Sequence, residues 1–543
     1  MTGGLTWRHY GLLAALALMT MLPGLASLPP VDRDEPLFAQ ASKQMIESGN
    51  YADIYFQNDP RYKKPIGIYW LQSASALMFG KSPYNEIWPY RLPSLLGALA
   101  AILLTGWGAG RISGPRTGFL TAAILVSSGL LNTEARLAKT DAALLAVICG
   151  AQWILARAYI TQEKLPSRLA AGFWIAQALG IMLKGPIALF ISGLTILALW
   201  IADRKIDWFK QLRPLPGLAL CLALTLPWLV WIGIASGGKF YAESAGHDFL
   251  GKIFTGQDRG FLPPGYYAIL FPICFGPFTW LALRGLAAAW AERQNRALRF
   301  ALAWILPAWI AYELIFTKLP HYVLPCYPAL AWLAAHAAFQ ERPVAARWNL
   351  FWKAANILLG SALALFMLAV AAVPLMLGES LKPLPAGLIL IAVLFLVLQM
   401  RQQLRAPAKA ARWGVGSAII LIPAVFSLLL PALDSLWISR QTAEKFAEFR
   451  SCASSRLITS GYTEPSLVFL AGTATLPANG AAYAAKLLEQ DSCAVAMIEK
   501  KQEAKFNGGL NAVKLGEIRG YNYNGGGWQD FSLYRPNGTK QTP

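Results

Sequence analysis

The feature that most constrains this chain is a series of long apolar segments separated by short polar ones. Of its 543 residues, 56% are hydrophobic and 14% are charged. A run of about 20 apolar residues is long enough to cross a bilayer as a helix. Such runs lie near residues 11–29, 89–110, 117–133, 141–160, 169–183, 186–202, 215–235, 266–285, 299–316, 321–339, 350–377, 385–400 and 413–433. The sequence therefore predicts a polytopic α-helical membrane protein with about thirteen transmembrane helices in residues 1–433.

The basic residues between these segments predict their orientation. With a cytoplasmic N-terminus, Lys and Arg concentrate in every second loop, as at Arg111 and Arg116 and again at Arg204 and Lys205. Such a bias marks cytoplasmic loops. The net charge of +19 is scattered among these loops and forms no continuous patch, so nucleic acid is not a predicted partner. The first apolar run ends in Pro-Pro-Val without a small-x-small cleavage site, which predicts a retained helix rather than a signal peptide.

The opposite, outer face then carries two long loops, residues 30–88 and 235–265. It also carries four basic residues in short turns: Arg136, Lys139, Lys184 and Lys318. Each alone could be a side chain that snorkels to the membrane surface. Together they run against the orientation bias, which indicates that they form a functional site on the outer side.

A group of acidic residues, Asp32, Asp34 and Glu35, follows the first apolar run directly. The helical spacing of the apolar residues after Pro36 places this group at a helix N-terminus, where the backbone dipole favours ionised carboxylates. An ionised carboxylate at a membrane-bounded cavity can act as a base. The alternative interpretation is that Asp34 and Glu35 only cap an interfacial helix.

The first outer loop continues with Arg61, Lys63 and Lys64, followed by Pro65 at the start of a predicted interfacial helix. Lysine binds phosphate as a point charge, and partial desolvation near the membrane strengthens the attraction. The pattern therefore indicates a site for a lipid phosphate. Contact with ordinary anionic head groups is the alternative.

Residues 434–543 differ from the rest of the chain and predict a small soluble α/β domain on the outer side, with strand-like runs at residues 466–470 and 493–498. Its two cysteines, Cys452 and Cys493, are candidates for a disulfide if the domain lies in an oxidising compartment. The other four cysteines lie within apolar runs, and no Cys/His spacing indicates a zinc site. No glycine-rich phosphate loop is present, which argues against a nucleotide-driven pump.

The acidic pair after the first span, the motif Lys64-Pro-Ile-x-x-Tyr-Trp70 and the motif Arg91-Leu-Pro-Ser resemble the GT-C superfamily of polyprenyl-phosphate-sugar glycosyltransferases. Within it, the chain is similar to the protein O-mannosyltransferase family, especially its bacterial lipid A aminoarabinose transferase branch. The resemblance implies an undecaprenyl-phosphate-linked sugar donor and inverting transfer without a nucleotide. It also implies an acceptor on the periplasmic side of the inner membrane, most closely lipid A or lipopolysaccharide, and a protein that acts as a monomer.

The resemblance also implies roles for individual residues. Asp34 and Glu35 correspond to the catalytic acidic pair, with Asp34 as the catalytic carboxylate and Glu35 as its support. The donor-phosphate site would comprise Lys64, His247, Lys252, Arg259, Lys318 and Tyr322. The remaining cavity residues would be Arg61, Lys63, Arg91, Arg136, Lys139, Asp141, Lys184 and His321. In the aminoarabinose branch the residue before the motif lysine is typically acidic and can share a metal with the loop histidine. Here it is Lys63, which argues against a divalent metal ion without excluding one and weakens the case for an amino sugar; no other cofactor is predicted.

Two other functions remain open. A transporter or flippase for a lipid-linked sugar would also need outer cations, but alternating access generally places ionisable residues near the middle of the membrane. A protein O-mannosyltransferase-type enzyme would use the same donor chemistry with a Ser or Thr acceptor. For glycosyl transfer itself, Lys64, Lys252, Arg259 and Lys318 could neutralise the departing phosphate. Asp34 could then accept the proton of an incoming hydroxyl.

Overall fold

A helix lies at each predicted span. The computed structural model describes residues 4–161, 163–251, 262–340, 346–506 and 512–537. Within these ranges, nine helical segments are long and apolar enough to cross a membrane: Trp88–Ser113, Asp141–Thr161, Pro214–Ala235, Tyr266–Ala291, Arg296–Leu314, Pro320–Phe339, Trp348–Met376, Pro383–Gln403 and Pro407–Ala432. The other four predicted spans coincide with Trp7–Met21, Pro115–Val126, Ser167–Lys184 and Ile187–Asp203. The protein is thus a multi-pass membrane protein, and the count of thirteen spans stays a prediction.

The helices divide into a buried centre and a peripheral ring. Asp141–Thr161 and Pro320–Phe339 are largely buried, whereas Pro214–Ala235 and Trp348–Met376 expose most of their apolar residues. Helices that are apolar on all sides can face lipid without a penalty. Close packing in the centre depends on small residues: a Cβ on Gly108 would lie 2.1 Å from the Trp153 ring. The central helices therefore form a rigid frame, and their outer ends carry the site described below.

The first outer loop contains two short helices, Asp34–Ser48 and Gly67–Phe79, joined through the strand pair β1 (Tyr55–Phe56) and β2 (Asp59–Pro60). Their packing is polar as well as apolar, since Ser42 Oγ donates to Gln72 Oε1 at 2.8 Å. The helix predicted to begin at the acidic group and the helix predicted after Pro65 are both confirmed. The short helix Gly129–Glu134 and the 3₁₀ segment Asp207–Leu212 lie between other spans.

The second long outer loop begins with the short helix Lys239–Tyr241 and the π-helical segment Ala242–Leu250. Residues 252–261 lie outside the described residues. The predicted phosphate ligands Lys252 and Arg259 fall in that range.

The tail folds as a five-stranded mixed sheet with helices. The strands are β3 (Leu457–Ser460), β4 (Leu476–Pro477), β5 (Val495–Glu499), β6 (Ala512–Asn522) and β7 (Gly527–Pro536), in the order β4-β3-β5-β7-β6. The helical segments are Asp434–Leu436, Ile438–Phe449, Pro465–Ala471, Ala481–Gln490, Lys500–Gln502 and Glu503–Phe506. A disulfide joins Cys452 to Cys493, as proposed from the sequence.

One strand prediction in the tail is confirmed and one is wrong. The run at residues 493–498 forms β5, whereas the run at 466–470 forms the helix Pro465–Ala471. Pro465 occupies the first turn of this helix, where its missing N–H costs nothing. The helix buries Leu467 within the tail and Phe469 against the first outer loop. Burial on two sides explains the continuous apolar run that was mistaken for a strand.

The tail is tied to the first outer loop by polar contacts along one segment. The Asp32 carboxylate accepts hydrogen bonds from the backbone N–H and the hydroxyl of Ser466 at 2.9 and 2.6 Å. Lys43 Nζ donates to the Phe469 carbonyl at 3.3 Å, and Gln40 Nε2 donates to the Thr473 hydroxyl at 2.8 Å. The helix Asp34–Ser48 is therefore held between the membrane helices and the tail.

Candidate active site

A cavity of about 230 Å³ opens where the two outer loops meet the outer ends of the central helices. Its polar wall is formed by Asp34, Arg61, Lys63, Lys64, Lys139, Thr140, Asp141, Lys184, Asp248, Tyr312, His321 and Tyr322. Its apolar wall includes Leu37, Phe38, Ile187, Phe190, Ile315 and Leu324. The cavity thus combines many charged groups with an apolar surface that suits a lipid-linked substrate.

Asp34 is the first residue of the helix Asp34–Ser48, and its side chain is exposed at the cavity. The unpaired backbone N–H groups of a helix N-terminus favour a negative charge there. Pro36 follows within the first turn, where proline is tolerated because no helical hydrogen bond is lost. The local sequence therefore places an ionisable carboxylate at the cavity wall.

Glu35, the next residue, does not line the cavity. Its side chain is buried, and its Oε1 and Oε2 accept hydrogen bonds from Arg91 Nε and Nη2 at 2.7 and 2.9 Å. The same carboxylate accepts from the backbone N–H of Val31 and of Ala138, both at 2.8 Å. Glu35 therefore lies outside the cavity, and four donors on its two oxygens give it the surroundings expected of a support for Asp34 and not of a second catalytic group.

Arg91 is likewise buried in this clamp rather than at the cavity. Its Nη1 donates to the carbonyls of Leu25 and Leu28 at 2.8 and 2.6 Å, and Nη2 donates to the carbonyl of Pro29 at 3.0 Å. The guanidinium thereby ties the end of the first helix to Glu35. Arg91 is a positioning residue and not a cavity ligand.

Lys64 and Arg61 lie on the cavity wall as predicted. Lys64 Nζ forms an ion pair with a carboxylate oxygen of Asp248, from the second outer loop. Arg61 Nη1 donates to the Tyr69 hydroxyl at 2.6 Å, and its guanidinium lies 4.8 Å from the centre of the Phe38 ring. The two outer loops therefore meet at the lysine that was predicted to bind phosphate.

The floor of the cavity holds a buried charged cluster. Lys139 Nζ lies 3.1 Å from Glu134 Oε2, and Lys184 Nζ lies 2.5 Å from Asp141 Oδ1. His321 lies between the carboxylates, with Nδ1 3.6 Å from Glu134 and Nε2 3.7 Å from Asp141. Burial raises the pKa of Glu134, and the neighbouring Lys139 opposes that shift. Because each lysine is paired with a carboxylate, these basic residues of short outer turns can be buried in the protein.

Glu134, Asp141 and His321 could in principle hold a metal ion, because their ligand atoms lie within 4.8 Å of one another. However, each carboxylate is already paired with a lysine, so a divalent cation would have to displace or repel two ammonium groups. At the other position where the resemblance would suggest a metal, Lys63 offers no ligand. Within the described residues, these two positions do not fit a metal ion.

Three further predicted residues do not line the cavity. Arg136 is buried and donates to the carbonyls of Pro23 and Asn132 at 2.9 and 2.7 Å. Lys318 donates to the carbonyls of Leu262 and Ile315, both at 2.8 Å, so it holds the end of the second outer loop. His247 is exposed on the π-helical segment beside Asp248. The position of basic residues against the orientation bias therefore indicated that they have a role. It did not distinguish a structural role from ligand binding.

Three residues of the site were not predicted from the sequence: Asp248, Glu134 and Tyr312. Asp248 follows the predicted His247 directly, and Glu134 begins the turn that ends at Asp141, so both lie in motifs already singled out. No local signal marks Tyr312, which lies within an apolar span.

The fold and the site define the class of protein. The structure superposes on the crystal structure of ArnT from Cupriavidus metallidurans bound to undecaprenyl phosphate with a TM-score of 0.76, at 17% identity, over 98% of this chain and 99% of that chain. The chain therefore has the GT-C type of fold. Residues 63–231 match the family described as dolichyl-phosphate-mannose-protein mannosyltransferase.

Two proteins of similar sequence have the same enzyme name. The chain is 28% identical over 313 residues to an undecaprenyl phosphate-alpha-4-amino-4-deoxy-L-arabinose arabinosyl transferase of Erwinia tasmaniensis. The aligned region covers 56% of this chain and 54% of that protein. The chain is 26% identical over 443 residues to a protein of the same name, numbered 1, from Pseudomonas fluorescens strain Pf-5, covering 79% of this chain and 75% of that protein. The chain thus spans about half the length of the Erwinia relative. The resemblance to the aminoarabinose transferase branch is confirmed.

Proposed function

We propose that this protein is a membrane glycosyltransferase that moves a sugar from an undecaprenyl-phosphate-linked donor to lipid A or another lipopolysaccharide acceptor. The observation that carries the proposal is the presence of Asp34 and Lys64 on one cavity, beside an apolar wall. A base and a phosphate ligand facing the same space are the two groups that this reaction needs. The names of the relatives supply the donor class. The choice of lipid A as the acceptor rests on the resemblance to the lipid A aminoarabinose transferase branch.

In the proposed reaction an acceptor oxygen attacks the anomeric carbon of the donor sugar from the face opposite the phosphate. The bond between that carbon and the phosphate oxygen breaks, and its electron pair leaves with undecaprenyl phosphate. The configuration at the anomeric carbon is inverted. Lys64 would stabilise the departing phosphate, and Asp34 would accept the proton of a hydroxyl acceptor. A phosphate acceptor is already ionised at neutral pH, and Asp34 would then orient it instead.

The positions of the charged residues support a transferase rather than a transporter. Asp34 begins an interfacial helix, Asp141 is the first residue of its helix and Lys184 is the last residue of its own. These three ionisable groups of the cavity therefore lie at helix ends. Alternating-access transporters generally bind their substrate near the middle of the membrane.

The decisive experiment is reconstitution of the purified protein in lipid nanodiscs with an undecaprenyl-phosphate-linked sugar and lipid A. We expect mass spectrometry to detect glycosylated lipid A and free undecaprenyl phosphate. For a hydroxyl acceptor group the variant Asp34→Asn should lose the product, whereas Asp59→Asn should not, because Asp59 is exposed on the same outer loop and does not line the cavity. Transfer to a Ser- or Thr-containing peptide instead of lipid A would favour a mannosyltransferase-type enzyme. Donor translocation in sealed vesicles without any transfer would overturn the proposal.

We also propose that the cavity and the tail face the periplasm of a bacterial inner membrane. The distribution of basic loops supports this orientation. A cysteine placed at Gly525, in the exposed turn between β6 and β7, should react with a membrane-impermeant thiol reagent in intact spheroplasts. Labelling only after lysis would reverse the proposed orientation.

A further inference from the structure

Lys63 differs from the other cations of the cavity in its surroundings. Lys64, Lys139 and Lys184 each pair with a carboxylate, and Arg61 donates to Tyr69. The Lys63 side chain lines the same cavity, is exposed, and makes no ion pair or hydrogen bond with the part of the chain that the structure describes. An ammonium group that faces a partly apolar cavity without a counter-charge attracts anions and repels cations.

Lys63 and Lys64 are adjacent in sequence but lie in different environments. Lys64 is mostly buried against Asp248, whereas Lys63 is exposed at the open side of the cavity. Their different surroundings suit contacts with different parts of a bound substrate: Lys64 is held by Asp248, whereas Lys63 has no such carboxylate among the described residues.

The geometry points to Lys63 as a specificity-determining residue that binds a second anionic group, a carboxylate or a phosphate, distinct from the donor phosphate. This group would be carried either by the transferred sugar, as in a uronic acid, or by the acceptor, as in a phosphorylated lipid A. By the same charge, Lys63 disfavours a transferred sugar that bears an ammonium group. The inference rests on the proposed function, because it assigns the donor phosphate to Lys64 and the proton acceptor to Asp34.

The test compares charge variants at one exposed position. Lys63→Gln removes the charge and Lys63→Glu reverses it, and neither disturbs a buried contact. Lys81→Glu is the matched control, because Lys81 is also an exposed lysine of the first outer loop but does not line the cavity. The donors are undecaprenyl-phosphate-linked 4-amino-4-deoxy-L-arabinose, L-arabinose and a hexuronic acid, which carry a positive, a neutral and a negative sugar. The acceptors are lipid A with and without its phosphates.

If the anion is on the sugar, Lys63→Glu should shift the ratio of kcat/KM for the amino sugar over the uronic acid by about tenfold or more towards the amino sugar. Lys63→Gln should give an intermediate shift, and the neutral sugar should change little. If the anion is on the acceptor, the sugar ratio should stay constant while KM for phosphorylated lipid A rises about tenfold. The dephosphorylated acceptor should then be unaffected, and Lys81→Glu should change neither quantity.

Two results would overturn the inference. The first is an equal loss for all three donors and both acceptors, which would place Lys63 on the donor phosphate itself. The second is no change at all in either Lys63 variant. The affinities of the three donors, measured by displacement of a labelled undecaprenyl phosphate, provide a readout without turnover. An absence of transfer with every donor in the wild-type protein would count against the proposed function, whereas a sugar preference in binding would still test Lys63.

Discussion

Two neighbouring carboxylates, Asp34 and Glu35, have opposite surroundings. Asp34 is exposed at a charged cavity, whereas Glu35 is buried and hydrogen-bonded to Arg91 and to two backbone N–H groups. Successive residues of a helix point about 100° apart, so one side chain turns towards the open space and the next turns into the protein. The comparison shows that the two members of an acidic pair can be divided between a cavity wall and a buried support.

The support connects three parts of the chain. Through Glu35, the start of the interfacial helix is joined to Arg91 on a central helix and to Ala138 in the turn before Asp141. The cavity wall formed by Asp34 and the cavity floor at Lys139 are therefore held by one buried carboxylate that does not line the cavity. Such an arrangement fixes the position of a cavity residue without occupying the cavity.

The comparison is tested most strongly by Asp34→Asn. The change keeps the size and hydrogen bonding of the side chain but removes its basicity. For a hydroxyl acceptor we expect a rate loss of about 10²–10⁴ with the melting temperature and the donor affinity retained. Initial rates of glycosyl transfer and thermal denaturation of the same sample measure both quantities. A near wild-type rate would leave Asp34 as a helix cap only.

The variants Glu35→Gln and Arg91→Ala should show the reverse pattern. Each leaves a buried charge without its partner, which costs about 3–5 kcal/mol of stability. We expect a lower melting temperature and loss of monodisperse protein after solubilisation, before any specific effect on the chemical step. If a stable Glu35→Gln protein lost only its transfer rate while Asp34→Asn stayed active, the roles of the two carboxylates would be exchanged.

The ion pair of Lys64 and Asp248 offers a second test of the cavity, because removing its two charges should change donor affinity in opposite directions. Lys64→Ala removes a charge-assisted contact and should weaken donor binding by roughly 1.5–3 kcal/mol. Asp248→Asn removes the carboxylate that competes with phosphate for Lys64, so donor affinity should rise a few-fold. Displacement of labelled undecaprenyl phosphate measures both changes. Glu243→Gln, at an exposed position of the same π-helical segment, serves as the control, and weaker binding in Asp248→Asn would exclude competition.

Lys318 provides a smaller contrast with Lys64. It donates to the backbone carbonyls of Leu262 and Ile315, and its own side chain does not line the cavity. We expect Lys318→Ala to lower donor affinity less than Lys64→Ala, through the position of the second outer loop. Equal losses in the two variants would show that Lys318 also reaches the phosphate when the donor is bound.

The smallest expected effect concerns the contact between Asp32 and the tail. Burial raises the pKa of Asp32 to about 7, although hydrogen bonds from Ser466 oppose the shift. A carboxyl group with a raised pKa stabilises the docked state fully below its ordinary pKa, and that contribution is lost as the pH rises through 7. From pH 6 to pH 8, docking should weaken by about 1 kcal/mol.

Hydrogen exchange of the helix Pro465–Ala471 measures this docking. Asp32→Asn should remove the pH dependence, whereas Asp530→Asn on the exposed surface of the tail should keep it. Protection that stays constant between pH 6 and pH 8 in the wild-type protein would contradict the raised pKa.

The sequence by itself determined the helical membrane architecture, the start of the interfacial helix at Asp34 and the strand at residues 493–498, and it singled out Cys452 and Cys493 as candidates for a disulfide. These properties follow from local patterns: apolar length, helix-start residues and cysteine count. They need no knowledge of which segments pack together. The resemblance of short motifs also led to Lys64, Asp141 and Tyr322, all of which lie on the cavity.

Only the tertiary structure decided which of the singled-out charges face the cavity. Arg91 and Arg136 became backbone clamps, Lys139 and Lys184 became members of a buried ion-pair cluster, and Lys63 remained exposed. The physical reason is that the role of a charge depends on its counter-charge and its burial. Both are set by residues distant in sequence, such as Asp248 for Lys64 and Glu35 for Arg91, and no local pattern records those pairings.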